Sequence, residues 1–288
     1  MPYLTHLLIF ICIYGILALS LNLIVGYTGL VSGAHTSFFG IGAYTTALLM
    51  VNLKLNFFLA LPAGIALAII LALLIGSVLS RFRGDYYVLG SIGFCSIVYT
   101  ILLNWQSLTG GPLGISGISR PNFFGFILND NIYFLPLAII FLLLVYAVCQ
   151  FVSLSSFGRA LKAIREDEQA LSVFGYQTSH YKLTVFAIGA GLAAIAGALY
   201  ASYINYIDPS TFHLNESVFM LSIIILGGLA NLRGSLLGAV FLILLPEILR
   251  FVGFSTDIAA QMRQFVYGLL LILFMMYRPQ GFIGEYRL

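Results

Sequence analysis

The titratable side chains of this chain are few, and many of them lie in one segment. Of 288 residues, 13 are basic and 10 are acidic, and seven of these charged residues fall within residues 153–182. Inside the apolar runs the main candidates for chemistry are His35 and Glu247. Ionisable groups within a bilayer are costly and usually functional. A proton-coupled pump would need a relay of several such groups, and the sequence does not contain one.

Each of these two residues fits two interpretations. His35 lies between Ala34 and Thr36 in a glycine-rich segment, where its ring could bind a polar solute or a carbonyl of a neighbouring helix. Glu247 precedes Arg250 by three residues, a spacing at which two side chains meet on one helix face. For Glu247 we favour an ion pair that holds a kinked helix end.

The patterns of a hydrolase, a nucleotide site and a metal site are missing. The sequence has no G-x-S-x-G elbow and no P-loop. Cys12, Cys95 and Cys149 are isolated in apolar segments, which indicates packing rather than a disulfide or a metal site. We therefore expect no catalytic residue, no metal and no cofactor bound by this chain, and no nucleic acid as a partner. Any work with ATP would need another chain to bind it.

The elements that position these residues are membrane helices. Hydrophobic residues make up 61% of the chain and charged residues only 8%, whereas soluble domains have about 25% charged residues. The first apolar run lacks a basic n-region and a cleavage site, so we expect a retained span. Runs of about 20 apolar residues predict an all-α polytopic transmembrane helical bundle of about 8–10 spans. They form one domain over residues 1–288, with spans at 3–25, 29–51, 57–79, 86–104, 132–152, 183–203, 218–230, 235–252 and 262–277.

The positive charges predict the orientation of these spans. If residues 153–182 are cytoplasmic, most of the 13 basic residues lie on the cytoplasmic side, as the positive-inside rule requires. The C-terminus is then cytoplasmic too. The expected cytoplasmic set is Arg81, Arg83, Arg159, Lys162, Arg165, Lys182, Arg233, Arg278 and Arg287, and the expected external set is Lys54, Arg120, Arg250 and Arg263.

Residues 153–182 read as a short amphipathic helix in a polar loop. At helical spacing one apolar stripe contains Leu161, Ile164, Leu171 and Phe174, and a polar face lies opposite. Such a helix could lie on the bilayer surface. Three consecutive acids, residues 166–168, would be repelled by anionic headgroups. We therefore favour a protein partner.

Two glycine-rich segments interrupt the apolar runs. Residues 26–46 carry five glycines among Ser, Thr and His, which suits either a broken or re-entrant segment lining a wet pathway or close helix packing through small residues. Both interpretations stay open. Residues 227–238 contain a similar short polar break, after which the apolar run resumes with further glycines. A long loop at 105–131 is rich in turn-forming Gly and Pro, and it is either a connector or a structured external rim.

Several blocks, in this order, resemble the permease subunits of branched-chain amino acid ABC importers, particularly the LivM-type subunit. The resemblance runs nearly end to end. The blocks are LNLIVGYTGLVSGAHTSFFGIGAY at 21–44, RGDYYVLGSIGF at 83–94, TGGPLGISGI at 109–118, FGRALKAIREDEQALSVFGY at 157–176, YKLTVFAIGAGLAAIAGALYA at 181–201, LGGLANLRGSLLGA at 226–239 and RPQGFIG at 278–284.

The resemblance implies a subunit of the bacterial inner membrane that moves hydrophobic amino acids inward. It would pair with a homologous second permease, two cytoplasmic ATPases that hold ATP and Mg, and a periplasmic or external solute-binding protein. Residues 157–176 would form the coupling helix, with Gly175 after an EAA-like core that here reads Gln169-Ala170-Leu171. The implied ATPase-coupling residues are Arg159, Leu161, Lys162, Ile164, Arg165, Glu166, Asp167, Glu168 and Gly175.

The resemblance also implies two further sets of site residues. The segment 26–42 would line the solute route, and the loop at 109–118 would face the binding protein. The route candidates are Asn22, Gly29, Ser32, Gly33, His35, Thr36, Ser37 and Asn231. The candidates for binding-protein contact are Thr109, Gly110, Gly111, Pro112 and Gly114.

Three other functions remain as alternatives. A urea or short-amide importer would use a closely similar permease, and nothing in the residues separates the two cargoes. A secondary carrier or channel working alone would need no ATPase and would not explain residues 153–182. A membrane enzyme or respiratory subunit would need a catalytic constellation or cofactor ligands that the sequence does not show.

Overall fold

The computed structural model describes residues 2–82, 84–123, 126–127, 130–251, 268–269, 272–273, 276–277 and 280–283. The chain is a helical bundle with very little strand, which confirms the predicted fold class. The helices are α1 Pro2–Thr28, α2 His35–Asn52, α3 Phe57–Leu79, α4 Asp85–Asn104, α5 Gln106–Thr109, α6 Asn131–Leu154, α7 Ser156–Glu166, α8 Glu168–Val173, α9 Thr178–Ile204, α10 Leu214–Gly227 and α11 Leu232–Phe251.

Four two-residue strands and two 3₁₀ turns lie in the connections. The strands form two antiparallel pairs: β1 with β4 and β2 with β3. The strands are β1 Ile115–Ser116, β2 Asn122–Phe123, β3 Phe126–Ile127 and β4 Tyr206–Ile207, and the 3₁₀ turns are Gly111–Leu113 and Pro209–Phe212.

Five of the described helices are long and apolar enough to cross a membrane, namely α1, α3, α4, α6 and α9. The predicted span at 29–51 begins later, as α2, because residues 29–34 are not helical. The predicted spans at 218–230 and 235–252 correspond to α10 and α11, which are joined by a short turn. Most of the predicted span at 262–277 falls outside the described residues.

The centre of the bundle is α2, which packs against α3, α4, α9 and α10. Its 18 residues include 13 buried ones. Two glycines allow the backbones of α2 and α9 to approach closely. A Cβ added to Gly42 would lie 2.4 Å from the Cα of Ala194, and one added to Gly197 would lie 2.1 Å from the carbonyl oxygen of Phe39. Small residues at such contacts let helices pack through van der Waals contact.

The helix α9 separates two differently built ends of the bundle. Its 27 residues span about 40 Å at 1.5 Å per residue. At its N-terminal end lie α7 and α8, which we call the α7 end. At its C-terminal end β4 pairs with β1, with Ile115 opposite Ile207, and we call this the β1–β4 end. The loops at 153–182 and 105–131 therefore lie at opposite ends, as the predicted topology requires.

The contact between α2 and α9 generates a prediction about stability. The change Gly42→Ala places a methyl group against the backbone of α9, so we expect a loss of about 1–3 kcal/mol from overpacking. The melting temperature of the detergent-purified protein should fall. A matched control is Gly93→Ala, since nothing lies within 4 Å of a Cβ at that position. Equal melting temperatures for the two variants would contradict this packing.

Candidate functional site

The helix α7 is fixed to the bundle by its apolar face. It begins at Ser155, whose hydroxyl accepts a hydrogen bond from the backbone N–H of Gly158. Leu161 and Ile164 are buried within this chain, at 0% and 4% exposure. The helix packs on α1, α6 and α9. Its apolar face is therefore an internal contact, and the prediction that these two side chains face another protein is wrong.

Two basic residues of α7 bind the end of α1. The Lys162 ammonium lies 5.5 Å from the centroid of the Tyr27 ring, a cation–π contact. The Arg165 guanidinium donates to the carbonyl of Gly26. Gly29 ends α1 with a positive φ of 73°, and a Cβ there would lie 3.1 Å from the Arg165 side chain. The helix end and α7 therefore form one unit.

The predicted single helix at 157–176 is two helices. Asp167 is extended between them, with φ −154° and ψ 99°. Its carboxylate accepts hydrogen bonds from the backbone N–H groups of Gln169 and Ala170, at 2.9 and 3.0 Å. Because Asp167 caps α8, the helical phase is lost there, and the predicted continuous stripe through Leu171 and Phe174 does not form.

The second helix, α8, exposes an apolar surface. Val173 is 85% exposed, Phe174 is 78% exposed and Tyr176 is 47% exposed. We call these three residues the α8 tip. Gly175 follows with φ 86° in a turn in which the N–H of Tyr176 donates to the carbonyl of Leu171. Sequence reasoning assigned Gly175 but missed Val173 and Tyr176, although an apolar Val-Phe-Gly-Tyr run inside a polar segment was a readable signal.

An ion pair joins α8 to the central bundle. The Lys182 ammonium lies 2.6 Å from a carboxylate oxygen of Glu168, and their side chains are 3% and 24% exposed. The hydroxyl of Thr178 donates to the other oxygen of Glu168 at 3.0 Å. Residues 153–182 read as a polar loop in the sequence, but Lys182 lies buried under α8 in the first turns of α9.

The remaining charged residues of the predicted coupling set lie at the surface. Arg159 and Glu166 are exposed, and the Arg159 guanidinium donates to the hydroxyl of Ser156 at 2.8 Å. The Arg159 guanidinium also donates to the carbonyl of Leu154, the last residue of α6, at 3.3 Å. Both residues nevertheless stay exposed. Their role toward a partner stays a prediction.

The expected break in the first glycine-rich segment is present at residues 29–34. Its backbone is bound by hydroxyls from two other helices. The Gly33 N–H donates to Ser91 at 2.9 Å, and its carbonyl accepts from Ser217 at 2.7 Å. Thr36 and Ser217 share a further hydrogen bond of 2.6 Å. Close packing through Gly42 also occurs, so the break and the small-residue packing are both present, and the wet pathway stays a prediction.

Asn22 and Asn231 hold the second break rather than a solute. The Asn22 amide donates to Ser235 at 2.6 Å and to the carbonyl of Asn231 at 3.1 Å, and its oxygen accepts from the N–H of Ala230 at 3.0 Å. The Asn231 side chain caps α11 by accepting from the N–H groups of Arg233 and Gly234. We correct their assignment from the solute route to the junction between α1 and α11.

Three further route candidates lie inside the bundle, whereas Gly29 is exposed at the end of α1. His35 is buried, and its Nε2 lies 2.8 Å from the hydroxyl of Ser20. Ser32 is buried and accepts from the N–H of Ala34 at 3.3 Å. Ser37 is 1% exposed, and its hydroxyl has no hydrogen-bond partner. Ser37 is thus a route candidate without a hydrogen bond of ordinary geometry among the described residues, although its hydroxyl lies beside the Cys95 thiol of α4.

The described part of the loop at 105–131 forms a structured rim. Thr109 is buried and its hydroxyl donates to the carbonyls of Leu102 and Trp105. Gly110 and Gly114 have positive φ, and a Cβ at Gly114 would lie 2.0 Å from the carbonyl oxygen of Ile207. Gly111 is buried, so Pro112 and its neighbour Leu113 form the exposed part of this turn.

Two acidic residues near the helix ends complete the site. The Glu216 carboxylate, at the start of α10, accepts a 2.6 Å hydrogen bond from the hydroxyl of Tyr14. It therefore contacts α1 rather than standing free at an open end. Glu247 is half-buried in α11. The side chain of Arg250 lies outside the described residues, so the Glu247–Arg250 pair stays a prediction.

These features define a polytopic membrane protein of the transport type. Its interior contains broken helices and polar side chains. The helix pair α7 and α8 lies at one end of the bundle, and the rim lies at the other end. The sequence profile described as "Branched-chain amino acid transport system / permease component" matches residues 3–275. The chain belongs to this family.

Known relatives agree with the profile. The chain is 35% identical to the "High-affinity branched-chain amino acid transport system permease protein LivM" of Escherichia coli (strain K12), over 94% of this chain and 68% of that protein. It is 25% identical to a "Probable branched-chain amino acid transport permease protein LivM" of Methanocaldococcus jannaschii, over 97% and 92%. It is 26% identical to the LivH permease of the same Escherichia coli strain, over 94% and 91%. No solved structure matches the chain.

The junction at Asn22 generates the second prediction. The change Asn22→Ala removes three hydrogen bonds and leaves the buried N–H of Ala230 unpaired, which costs about 1–3 kcal/mol. We expect a large drop in melting temperature. The control Asn104→Ala removes an exposed amide that bonds only the carbonyl of Thr100 in its own helix and should melt like the unmodified protein. If Asn22→Ala melts like this control, the assignment to the junction is wrong.

Proposed function

We propose that this chain is a permease subunit of an ATP-driven importer for branched-chain amino acids. The observation that carries the proposal is the helix pair at the α7 end, in which α7 is fixed to the bundle and α8 presents an exposed apolar tip. Relatives that carry branched-chain amino acid transport in their names support the cargo. A urea or short-amide importer has no comparable support.

The proposed assembly contains four kinds of chain. A homologous second permease would sit beside this one, and the presence of both LivM and LivH among the relatives supports that pairing. Two cytoplasmic ATPases would hold ATP and Mg and dock at the α7 end. An external solute-binding protein would dock at the β1–β4 end. This chain would bind no cofactor itself, and its C-terminus would be cytoplasmic.

The coupling follows from the unequal attachment of α7 and α8. ATP can drive a conformational change only if the ATPase states differ in how strongly they bind the permease. Val173, Phe174 and Tyr176 are free to contact an ATPase, while Leu161 and Ile164 keep α7 with α1. Motion of the ATPase would therefore act on α8, and would reach α9 through the pair of Glu168 and Lys182.

The rim at the β1–β4 end suits a docking surface for a binding protein. Glycines with positive φ place Pro112 and Leu113 at its surface, and Leu113 is 83% exposed. The hydroxyl of Tyr206 donates to the carbonyl of Leu113 and holds the turn. The turn is joined through β1 and β4 to the end of α9. A protein docked on the turn would therefore be linked to the same helix that carries Lys182.

The change Phe174→Asp tests the docking surface. A charge at an exposed apolar position should leave the fold intact but prevent burial of the α8 tip against a partner. We expect an unchanged melting temperature, no ATPase in a mild-detergent purification, and no leucine uptake. Leu161→Asp should instead unfold the permease, because it buries an unpaired charge.

The control for added charge is Ser179→Asp, at an exposed position in the first turn of α9. It should retain both the ATPase and uptake. Normal uptake by Phe174→Asp would remove the assignment of the α8 tip to docking. Loss of the fold by Phe174→Asp would show that the tip packs within this chain.

Changes at the ion pair test the link between α8 and α9. Glu168→Gln leaves the buried Lys182 without its countercharge, a loss of about 3–5 kcal/mol for such pairs. We expect the ATPase to remain bound and ATP hydrolysis to continue, while leucine transported per ATP falls. The exchange Glu168→Lys with Lys182→Glu should restore part of that ratio. An unchanged ratio in Glu168→Gln would contradict the link.

The whole proposal is tested by reconstitution. Vesicles containing this chain, the second permease and the ATPases, supplied with the binding protein, should take up leucine only when ATP is present. Uptake by this chain alone would contradict the proposal in favour of a solitary carrier.

A further inference from the structure

Unpartnered buried polar atoms are concentrated on one helix. Among the side chains that the structure describes, four buried polar atoms have no hydrogen-bond partner, and all four belong to α2: His35 Nδ1, Ser37 Oγ, Tyr44 Oη and Thr46 Oγ1. A buried polar group left unpaired destabilises the folded protein. Several of them on one element call for an explanation, and a solute that passes through the protein supplies one.

Two of these atoms lie on one face of α2. Ser37 and Tyr44 are seven residues apart, which places them on nearly the same side of a helix and about 10 Å apart along its axis. Between them, Gly40 lies against the Phe212 ring. Beside them, Thr36 bonds Ser217 of α10. This face is therefore covered by α10 and the turn that precedes it, away from the contact of Gly42 with α9.

The first turn of α2 favours a negatively charged group of a bound solute. The helix follows the break at 29–34 and begins at Ala34 without a side-chain cap. An α-helix carries a partial positive charge at its N-terminus, which favours anionic groups. Ser37 lies in this turn and adds a hydroxyl donor that is 99% removed from solvent and unpaired. The combination suits a carboxylate that has no full countercharge, as in a zwitterion.

The Phe212 ring closes this face toward the β1–β4 end. Phe212 is 1% exposed and its ring lies 5.7 Å from that of Tyr44 and 5.1 Å from that of Phe39, between centroids. A Cβ on Gly40 would lie 3.0 Å from the ring, so only glycine leaves this room. The residue belongs to a short 3₁₀ turn, Pro209–Phe212, rather than to a long helix.

We propose that the first turn of α2, with the hydroxyl of Ser37, binds the carboxylate of the transported amino acid, and that Phe212 closes this site from the β1–β4 end. The inference rests on the proposed function and names the part of the solute that the permease itself recognises. A solute without a carboxylate, such as urea or an amide, lacks the group that this site binds.

The test uses cysteine labelling in the reconstituted complex. In a background with Cys12, Cys95 and Cys149 replaced by Ala, Ser37→Cys is exposed to a negatively charged, membrane-impermeant methanethiosulfonate on the binding-protein side. We expect labelling during ATP turnover, slowed several-fold by leucine but not by leucinamide, which lacks the carboxylate. Adding Phe212→Ala should allow labelling without ATP.

The matched control is Ala43→Cys, a buried α2 position beside Gly197 of α9, which should stay unlabelled. Labelling of Ser37→Cys no faster than this control, in a complex that still hydrolyses ATP, would overturn the site. Equal protection by leucinamide or urea would overturn the carboxylate assignment. A failure of the unmodified chain to support leucine uptake in the same vesicles would count against the proposed function instead.

Discussion

Backbone groups released by two helix breaks must be bound inside this protein, because a bilayer interior offers them no water. At the first break, Ser91 and Ser217 bind both the N–H and the carbonyl of Gly33. At the second, Asn22 from α1 binds the turn between α10 and α11 on both sides. These few side chains join α1, α2, α4, α10 and α11. The rest of the bundle can then pack around an interior that is irregular and polar.

The α7 end shows how one amphipathic segment divides into two roles. Asp167 ends α7 and caps the start of α8. The two helices can therefore face different surroundings. The apolar face of α7 is used inside the chain, while the apolar residues of α8 remain exposed. Only one buried ion pair and the adjacent hydroxyl bond join α8 to α9 by side-chain hydrogen bonding among the described residues. A rigid base and a loosely attached tip are suited to transmit motion.

The long helix α9 links this end to the opposite rim. It carries Lys182 near its start and ends beside β4, which pairs with β1 of the rim. Between these points it contacts α2 through glycine and alanine, at distances that leave no room for larger side chains. A helix packed so closely moves with its neighbour, since such interiors do not deform freely. Displacement at either end would thus reach the unpartnered hydroxyls of α2.

Hydropathy, glycine content and charge are local properties of the chain, so the sequence was enough to predict the membrane class, the five long spans, the two glycine-rich breaks and the polar segment at 153–182. Which polar groups are already bound depends on contacts that form only in the folded bundle. Asn22 and Ser37 are equally polar in the sequence, yet one holds a turn and the other is unpartnered. Leu161 and Phe174 are likewise both apolar residues of one polar segment, yet Leu161 is buried and Phe174 is exposed. A helical pattern shows that one face must be covered, whereas the body that covers it is set by contacts between residues far apart in the chain.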